Sequence, residues 1–389
     1  MTEALDRLAG RLPEMLDLLA DLVTSESPSA DAAALRATAA LVAERGRALL
    51  GREPEWADTD PPVLSWRIPA RDAEAGRPVL LLCHLDTVWP MGTIARWPFA
   101  VDDGRATGPG AFDMKAGLVQ ALFAVAELER SGRPSPGVVL LVTSDEEVGS
   151  PGGRRFIEEE ARHAGAVLVL EASAGGRLKL ARKGVGMYRL EVTGRAAHAG
   201  LEPERGVNAL TAAAGLVLEA AGIASPAEGT TVTPTLARAG TTQNTVPASA
   251  EVSLDVRAAS AAEQERVDRA LRRLGVPAGA RLAVHGGINR PPLEARASAR
   301  LFALARGLAA GCGIPELGGV AVGGGSDGNF TAALGIPTLD GIGAVGDGAH
   351  AEGEYVVVGE MPARAALVTE LVVALASVDV AEPEGGRAP

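Results

Sequence analysis

The chain has 389 residues, 47% hydrophobic and 22% charged, a balance that supports a substantial core and excludes disorder as the main state. Its 49 acidic and 37 basic residues give a formal charge of −12, which argues against a non-specific nucleic-acid footprint. Its apolar runs fall far short of the roughly 20 residues that cross a bilayer, and Cys83 and Cys312 form neither a disulfide framework nor a C-x-x-C pair, which favours a cytoplasmic setting.

The N-terminal residues interleave charge with leucine, so Ala4–Val23 reads as an amphipathic helix and not as a signal peptide, and Ala32–Leu50 as a second helix. Short apolar runs at Val79–Cys83, Val138–Thr143 and Val167–Leu170, bounded by turn residues, read as buried parallel strands. Helical patterns at Lys115–Arg130 and Gly152–His163 lie between them. From about Met187 the pattern becomes strand Met187–Thr193, helix Val207–Ala221, strands Thr231–Arg238 and Ala250–Arg257, helix Ala261–Leu274 and strand Arg281–His285. That β-α-β-β-α-β order is a ferredoxin-like unit. After Pro291-Pro292 come a helix at Leu293–Gly311, a glycine-rich turn at Gly323–Ser326, a short helix and a closing helix at Pro362–Ala376, while Ala381–Pro389 is expected to fray. The expected architecture is α/β. A helix-covered, mostly parallel sheet occupies residues 1–184 and 292–389, and an inserted ferredoxin-like α+β lid domain occupies residues 185–291.

His84, Asp86, Glu146, Glu147 and Glu171 fall where an apolar strand has just ended, and Asp113 opens a helix. In open α/β sheets the ligand crevice lies beyond the carboxyl ends of the strands, so separate loops deliver these residues to one acidic site. His84 and Asp86, two apart on an extended segment, face one way; Cys83 faces the other and is assigned to packing. Imidazole and carboxylate donors without thiolate suit zinc, with manganese or cobalt as substitutes.

The ordered motifs go further than any single residue. His84-Leu-Asp86-Thr-Val, Gly108-Pro-Gly-Ala-Phe-Asp113-Met-Lys-Ala-Gly117, Ser144-Asp-Glu146-Glu147-Val-Gly149 and His350-Ala-Glu resemble those of the two-metal exopeptidase family that contains carboxypeptidase G, the glutamate carboxypeptidases, acetylornithine deacetylase and aminoacylases. The segments around His198, Asn244, Asp255-Val-Arg257 and Gly-Gly-Gly-Ser326-Asp are most similar to the carboxypeptidase G branch. The resemblance implies two zinc ions per chain, one held by His84, Asp113 and Glu171, the other by Asp113, Glu147 and His350, with Asp113 bridging. It implies Glu146 as general base and Asp86 as the residue that orients His84. It also implies a cis peptide at Asp113–Met114, a homodimer formed through the insertion, and His198 donated across that dimer to the oxyanion with Asn244 and Arg257 in support.

Substrate groups follow from the same resemblance. Arg290 matches a family arginine that grips a substrate carboxylate. Lys179 matches a lysine of the glutamate-binding members, whereas a serine two residues on is here Ala181, and the threonine of their glycine-rich loop is Ser326. The leading expectation is a glutamate-carboxypeptidase-like hydrolase that releases a C-terminal amino acid from a small N-acyl amino acid or short peptide. The alternatives are an N-acyl-amino-acid deacylase and a non-catalytic binding protein on the same fold. Neither a nucleic acid nor a membrane is an expected partner.

Overall fold

The computed structural model describes residues 1–57, 59–71, 76–378 and 380. The expected fraying of Ala381–Pro389 lies outside the described residues. The chain divides into two compact units: Met1–Ala181, Ala295–Val322 and the residues from Ser326 on form one, and Arg182–Glu294 with Gly323–Gly325 form the other. Among the described residues no helix is long and apolar enough to cross a membrane.

The first unit is built on a six-stranded sheet ordered Glu55–Trp56, Leu64–Ile68, Val138–Thr143, Val79–His84, Ala166–Val169, Thr338–Leu339. Val79–His84 runs parallel to both Val138–Thr143 and Ala166–Val169, and Thr338–Leu339 is parallel to Ala166–Val169. Leu64–Ile68 and Glu55–Trp56 add antiparallel pairs at one side. Every residue of Val79–His84 and Val138–Thr143 is buried. The pleat explains this: Val79, Leu81 and Cys83 join the larger core with the helices Ala116–Ser131 and Met361–Ala374, while Leu80 and Leu82 join Ile157, Ala161 and Phe330 on the opposite face. Strands covered on both faces lose the polar alternation of a half-exposed sheet and read as continuous apolar runs.

Two helical expectations change in detail. Ala4–Val23 is two helices, Glu3–Ala9 and Leu12–Thr24. Pro13 lacks an amide hydrogen, and its ring would crowd the Ala9 carbonyl of a continuous helix, so the chain breaks at Gly10-Arg11 and restarts with Pro13 in the first turn. The helix expected from Lys115 starts at Ala116, after a tight Ala111–Lys115 turn in which the Asp113–Met114 peptide is cis.

The second unit is a four-stranded antiparallel sheet ordered Thr231–Ala239, Ser249–Ala258, Gly184–Thr193, Arg281–Arg290. The helices Ala209–Ala221 and Ala261–Leu271 supply Leu216, Val267 and Leu271 to a core shared with Leu190, Val192, Val252 and Leu254. This is the ferredoxin-like order. The last strand continues past His285 to Arg290, because Gly286 and Gly287 stay in register opposite Tyr188 and Met187. A Cβ at Gly286 would lie 2.1 Å from the Met187 carbonyl oxygen, so this glycine permits close strand approach and does not end the strand.

A similar close approach fixes the carboxyl end of the central sheet. Cβ atoms added at Gly117 and Gly343 would lie 2.0 and 2.1 Å from the Leu170 carbonyl oxygen, so a helix and a loop both close on the backbone just before Glu171. Gly117→Ala should therefore lower unfolding stability by about 1–3 kcal/mol, as expected of overpacking against backbone that cannot yield. Denaturant unfolding checks this, and a variant as stable as the parent would refute the close approach.

Candidate metal centre

Parallel pairing aligns the carboxyl ends of three strands, and the site lies just beyond them. His84 ends Val79–His84, Glu146 and Glu147 form the turn after Val138–Thr143, and Glu171 follows Ala166–Val169 by two residues. Asp113 sits in the turn that opens Ala116–Ser131. A second, small sheet brings in His350. Within it Tyr355–Val357 pairs with Arg105–Thr107, so the His350 turn lies beside the segment leading to Asp113. His350 has φ 62°, a left-handed conformation uncommon outside glycine, and lies between Gly348 and Gly353, both also at positive φ.

The geometry centres on Asp113. Its Oδ1 is 3.6 Å from His84 Nε2, which is also 3.4 Å from Glu171 Oε1. Its Oδ2 is 3.4 Å from His350 Nε2, which is 3.1 Å from Glu147 Oε2. Donor atoms of His84, Glu146 and Glu171 lie within 4.8 Å of one another, as do those of His84, Asp113 and Glu147. His84 Nε2 and Glu147 Oε1 are buried and make no hydrogen bond. Buried polar atoms left unpaired cost about 1–3 kcal/mol each, and here they face carboxylate and imidazole donors of the kind that hold a divalent cation. This donor set fits divalent cations.

Asp86 organises the surroundings and is fully buried. His84 Nδ1 lies 3.1 Å from the Asp86 carbonyl oxygen and 3.3 Å from its Oδ1. The Glu146 amide donates to Oδ1 at 3.1 Å, and the Glu147 amide and the Ser29 hydroxyl donate to Oδ2 at 3.2 and 2.6 Å. One carboxylate thus holds both the imidazole and the turn carrying the two glutamates.

Without cations, protons balance the assembled carboxylates. Hydrogen bonds to Asp113 and Glu147 raise the His350 pKa to about 10. Burial opposes charge on His84, but the nearby carboxylates of Asp113, Asp86 and Glu171 outweigh it and hold its pKa well above the ordinary value. Burial also pushes Asp113 upward, and the two histidines overcome this and hold it below the ordinary carboxylate range. Burial raises Glu147, and it raises Glu354, four residues beyond His350, to about 8 with Asp113 adding to the effect.

The remaining candidates divide between the units. In the first, Lys179 Nζ is 3.6 Å from Glu171 Oε2. Ser326 is fully buried; its hydroxyl donates to Asp340 at 2.5 Å and accepts the Gly328 amide. In the second, His198 Nδ1 accepts the Gly200 and Leu201 amides at 3.1 Å each, which places the hydrogen of the neutral ring on Nε2. The Ala199 amide donates to the Asn244 carbonyl, so His198 and Asn244 share one loop pair. Arg257 donates twice to Asp255, at 2.9 and 2.8 Å, and Arg290 is buried at the end of its strand beside Gly325. Sequence reasoning missed Ser29, 57 residues from the carboxylate it meets, and Glu354. The second was findable as an acidic residue within the His350 segment.

This arrangement, an α/β sheet whose strand ends and a turn of a second, small sheet gather two histidines and a set of carboxylates around Asp113, is that of a metal-dependent hydrolase. The model of peptidase family M20/M25/M40 matches residues 80–374, and the chain belongs to that family. It is 35% identical over 314 residues to carboxypeptidase G2 from Pseudomonas sp. (strain RS-16), covering 77% of this chain and 74% of that protein. It is 30% identical over 360 residues to a succinyl-diaminopimelate desuccinylase from Halorhodospira halophila (strain DSM 244 / SL1), covering 85% and 91%. Among solved structures, an M20 family metallo-carboxypeptidase from Sulfolobus solfataricus superposes with a TM-score of 0.72 at 20% identity, over 94% of this chain and all of that one. An aminopeptidase from Bacillus cereus ATCC 10987 gives 0.73 at 22%, over 94% and 99%. The chain is a carboxypeptidase-like, metal-dependent hydrolase.

With the His84 and His350 pKa values raised, metal uptake near pH 7.5 should release protons, as calorimetric zinc titrations in buffers of different ionisation enthalpy would show. In the metal-free protein the His350 pKa lies above its ordinary 6.5. Its stabilising contribution should therefore be complete below about pH 6.5 and disappear as pH rises through about 10. The size should be small, since half of the side chain is exposed. The stability difference between metal-free parent and His350→Ala should shrink over that window; a difference that grows would contradict the assignment.

Proposed function

We propose that the protein is a dizinc exopeptidase that hydrolyses the amide bond next to a C-terminal, glutamate-type amino acid of an N-acyl amino acid or short peptide. The observation that carries this reading is the division of the Asp113 oxygens, one toward His84 and Glu171 and the other toward Glu147 and His350. The first trio would hold one ion, and Asp113 with the second pair the other. Bound there, such ions lower the pKa of a water and polarise the scissile carbonyl. Glu146, fixed through its amide by Asp86, takes the proton of the attacking water and delivers it to the leaving nitrogen.

From the second unit, His198 offers Nε2–H to the tetrahedral oxyanion, acting in the site of the neighbouring subunit of a homodimer, with Asn244 and Arg257 in support. The exposed edge strand Thr231–Ala239 supports pairing between copies. Arg290 pairs with the free carboxylate of the leaving amino acid. Lys179, beside Glu171, offers a second carboxylate contact, and Ser326 supports the glycine-rich turn through Asp340. The buried free thiols Cys83 and Cys312 support a cytoplasmic setting. A second reading, removal of the acyl group from an acyl amino acid in the manner of a deacylase, is favoured by the long match to the desuccinylase and by Ala181.

Turnover of N-acyl amino acids with varied C-terminal residues, free or amidated, distinguishes the two. The exopeptidase reading expects a preference for glutamate-type residues and rejection of amidated ends. Glu146→Gln should retain metal and lose about 10²–10⁴-fold in kcat. His350→Ala should lose about one of two bound zinc equivalents, read by elemental analysis. Near-normal turnover in Glu146→Gln at full occupancy would remove that residue from proton transfer.

A further inference from the structure

We propose that Asp327 is a positioning residue that staples both ends of the turn carrying Glu146 and Glu147 and thereby sets the placement of the Glu146 carboxylate. This rests on the proton-transfer role given to Glu146 above. Asp327 closes the Gly-Gly-Gly-Ser326-Asp segment and stands at the N-cap of the short helix Gly328–Ala333. An aspartate there ordinarily accepts an amide of the first helical turn. Asp327 makes no such cap bond. Its buried carboxylate meets two fully buried hydroxyls instead: Ser150 Oγ donates to Oδ1, and Thr143 Oγ1 donates to Oδ2 at 3.3 Å. Thr143 is the last residue of Val138–Thr143 and Ser150 follows Gly149, so the two hydroxyls bracket residues 144–149.

The turn needs such a hold. Gly149 and Ser150 take positive φ of 94° and 57°, and at Ser150 a side chain makes that conformation uncommon. The Ser150 amide donates to the Asp145 carbonyl at 2.8 Å, and the Asp145 carboxylate accepts the Gly152 and Gly153 amides at 2.6 and 3.0 Å, which folds the exit of the turn back on its entry. Asp86 holds the middle through the Glu146 and Glu147 amides, and Asp327 fixes the distance between the ends. Asp327 is itself set by the sheet. The Ser326 amide donates to Asn329 Oδ1 at 2.9 Å, and a Cβ at Gly328 would stand 2.9 Å from Val169 Cγ2, so the residues around Asp327 press on the strand Ala166–Val169. Polar groups buried this deeply and bonded to one another hold one geometry. In the zinc-loaded protein Glu147 is also held by its ion, so a loosened turn acts on Glu146, where a misplacement of about 1 Å can cost about 100-fold in rate.

The test combines turnover of the zinc-loaded full chain with hydrogen exchange of the metal-free chain. Asp327→Ala should lower kcat by about 10- to 100-fold, with KM and zinc content little changed. Asp327→Asn, whose amide oxygen can accept the Ser150 hydroxyl while its NH2 donates to Thr143, should retain most of the turnover. Thr143→Val and Ser150→Ala should each lower kcat, and neither should lower it further in Asp327→Ala. In Glu146→Gln, where the base is already lost, adding Asp327→Ala should leave the residual rate nearly unchanged. Amides of residues 144–150 should exchange faster in Asp327→Ala than in the parent and at the parent rate in Asp327→Asn, with Val79–His84 unaffected in both. Parent-like kcat in Asp327→Ala, equal losses in the alanine and asparagine variants, losses that multiply along these cycles, or faster exchange that spreads to Val79–His84 overturns the proposal while leaving the hydrolase reading in place. Should the alanine chain fail to fold, the two hydroxyl deletions decide: parent-like kcat in both overturns the proposal. Near-normal turnover in Glu146→Gln alone removes the base assignment and this proposal with it, whatever the exchange rates.

Discussion

Mutual repulsion among carboxylates governs this molecule. Asp86, Asp113, Glu146, Glu147 and Glu171 converge beyond the strand ends, and four of the five are buried or nearly so. Charge of one sign in a poorly solvated place must be balanced by protons or cations, or the chain will not hold it. Asp86 is held by its own surroundings, through two backbone amides, a serine hydroxyl and the His84 ring. The others face the histidines. The same imidazoles that carry protons in the metal-free protein are the donors a cation needs once those protons leave, which couples metal affinity to pH.

Holding repelling groups within a few ångströms demands a scaffold that does not relax. Val79–His84 and Val138–Thr143, buried along their whole length, provide it, as does the backbone around Leu170, approached by Gly117 and Gly343. Close packing of this kind gives little room for adjustment, so the ligand loops inherit the positions of the strands they follow. The glycine in the Asp113-Met-Lys-Ala-Gly117 motif thus serves the neighbouring Glu171 segment, and its place in the sequence gives no hint of that partner.

How much was legible follows from the range of each interaction. Continuous apolar runs located the central strands because two-sided burial leaves a local signature, and the β-α-β-β-α-β order was visible from periodicity. The break at Gly10-Arg11 was missed although Pro13 announces it, since the leucine spacing continues across it. The strand through Gly286-Gly287 was cut short because glycine usually marks a turn, and only the approach of Met187 explains its presence. The small sheet that joins the Arg105–Thr107 and Tyr355–Val357 strands was invisible, being made of short pairings between segments some 250 residues apart. It is nonetheless what brings His350 to Asp113.

Chemistry was easier to read than selectivity for a related reason. A metal site requires particular donor atoms, so histidine and carboxylate at the ends of strands stand out from their surroundings. Groups that recognise a substrate need only the right shape and polarity, and valine, methionine and tryptophan serve in cores as often as at surfaces. Val88, Met91 and Val148, for example, are exposed on loops pinned by Glu26 and Asp86, a property of the folded chain that the residue types do not announce. The loop backbones are fixed from below, by Glu26 beneath one and Asp86 beneath the other, so the exposed side chains are free to vary.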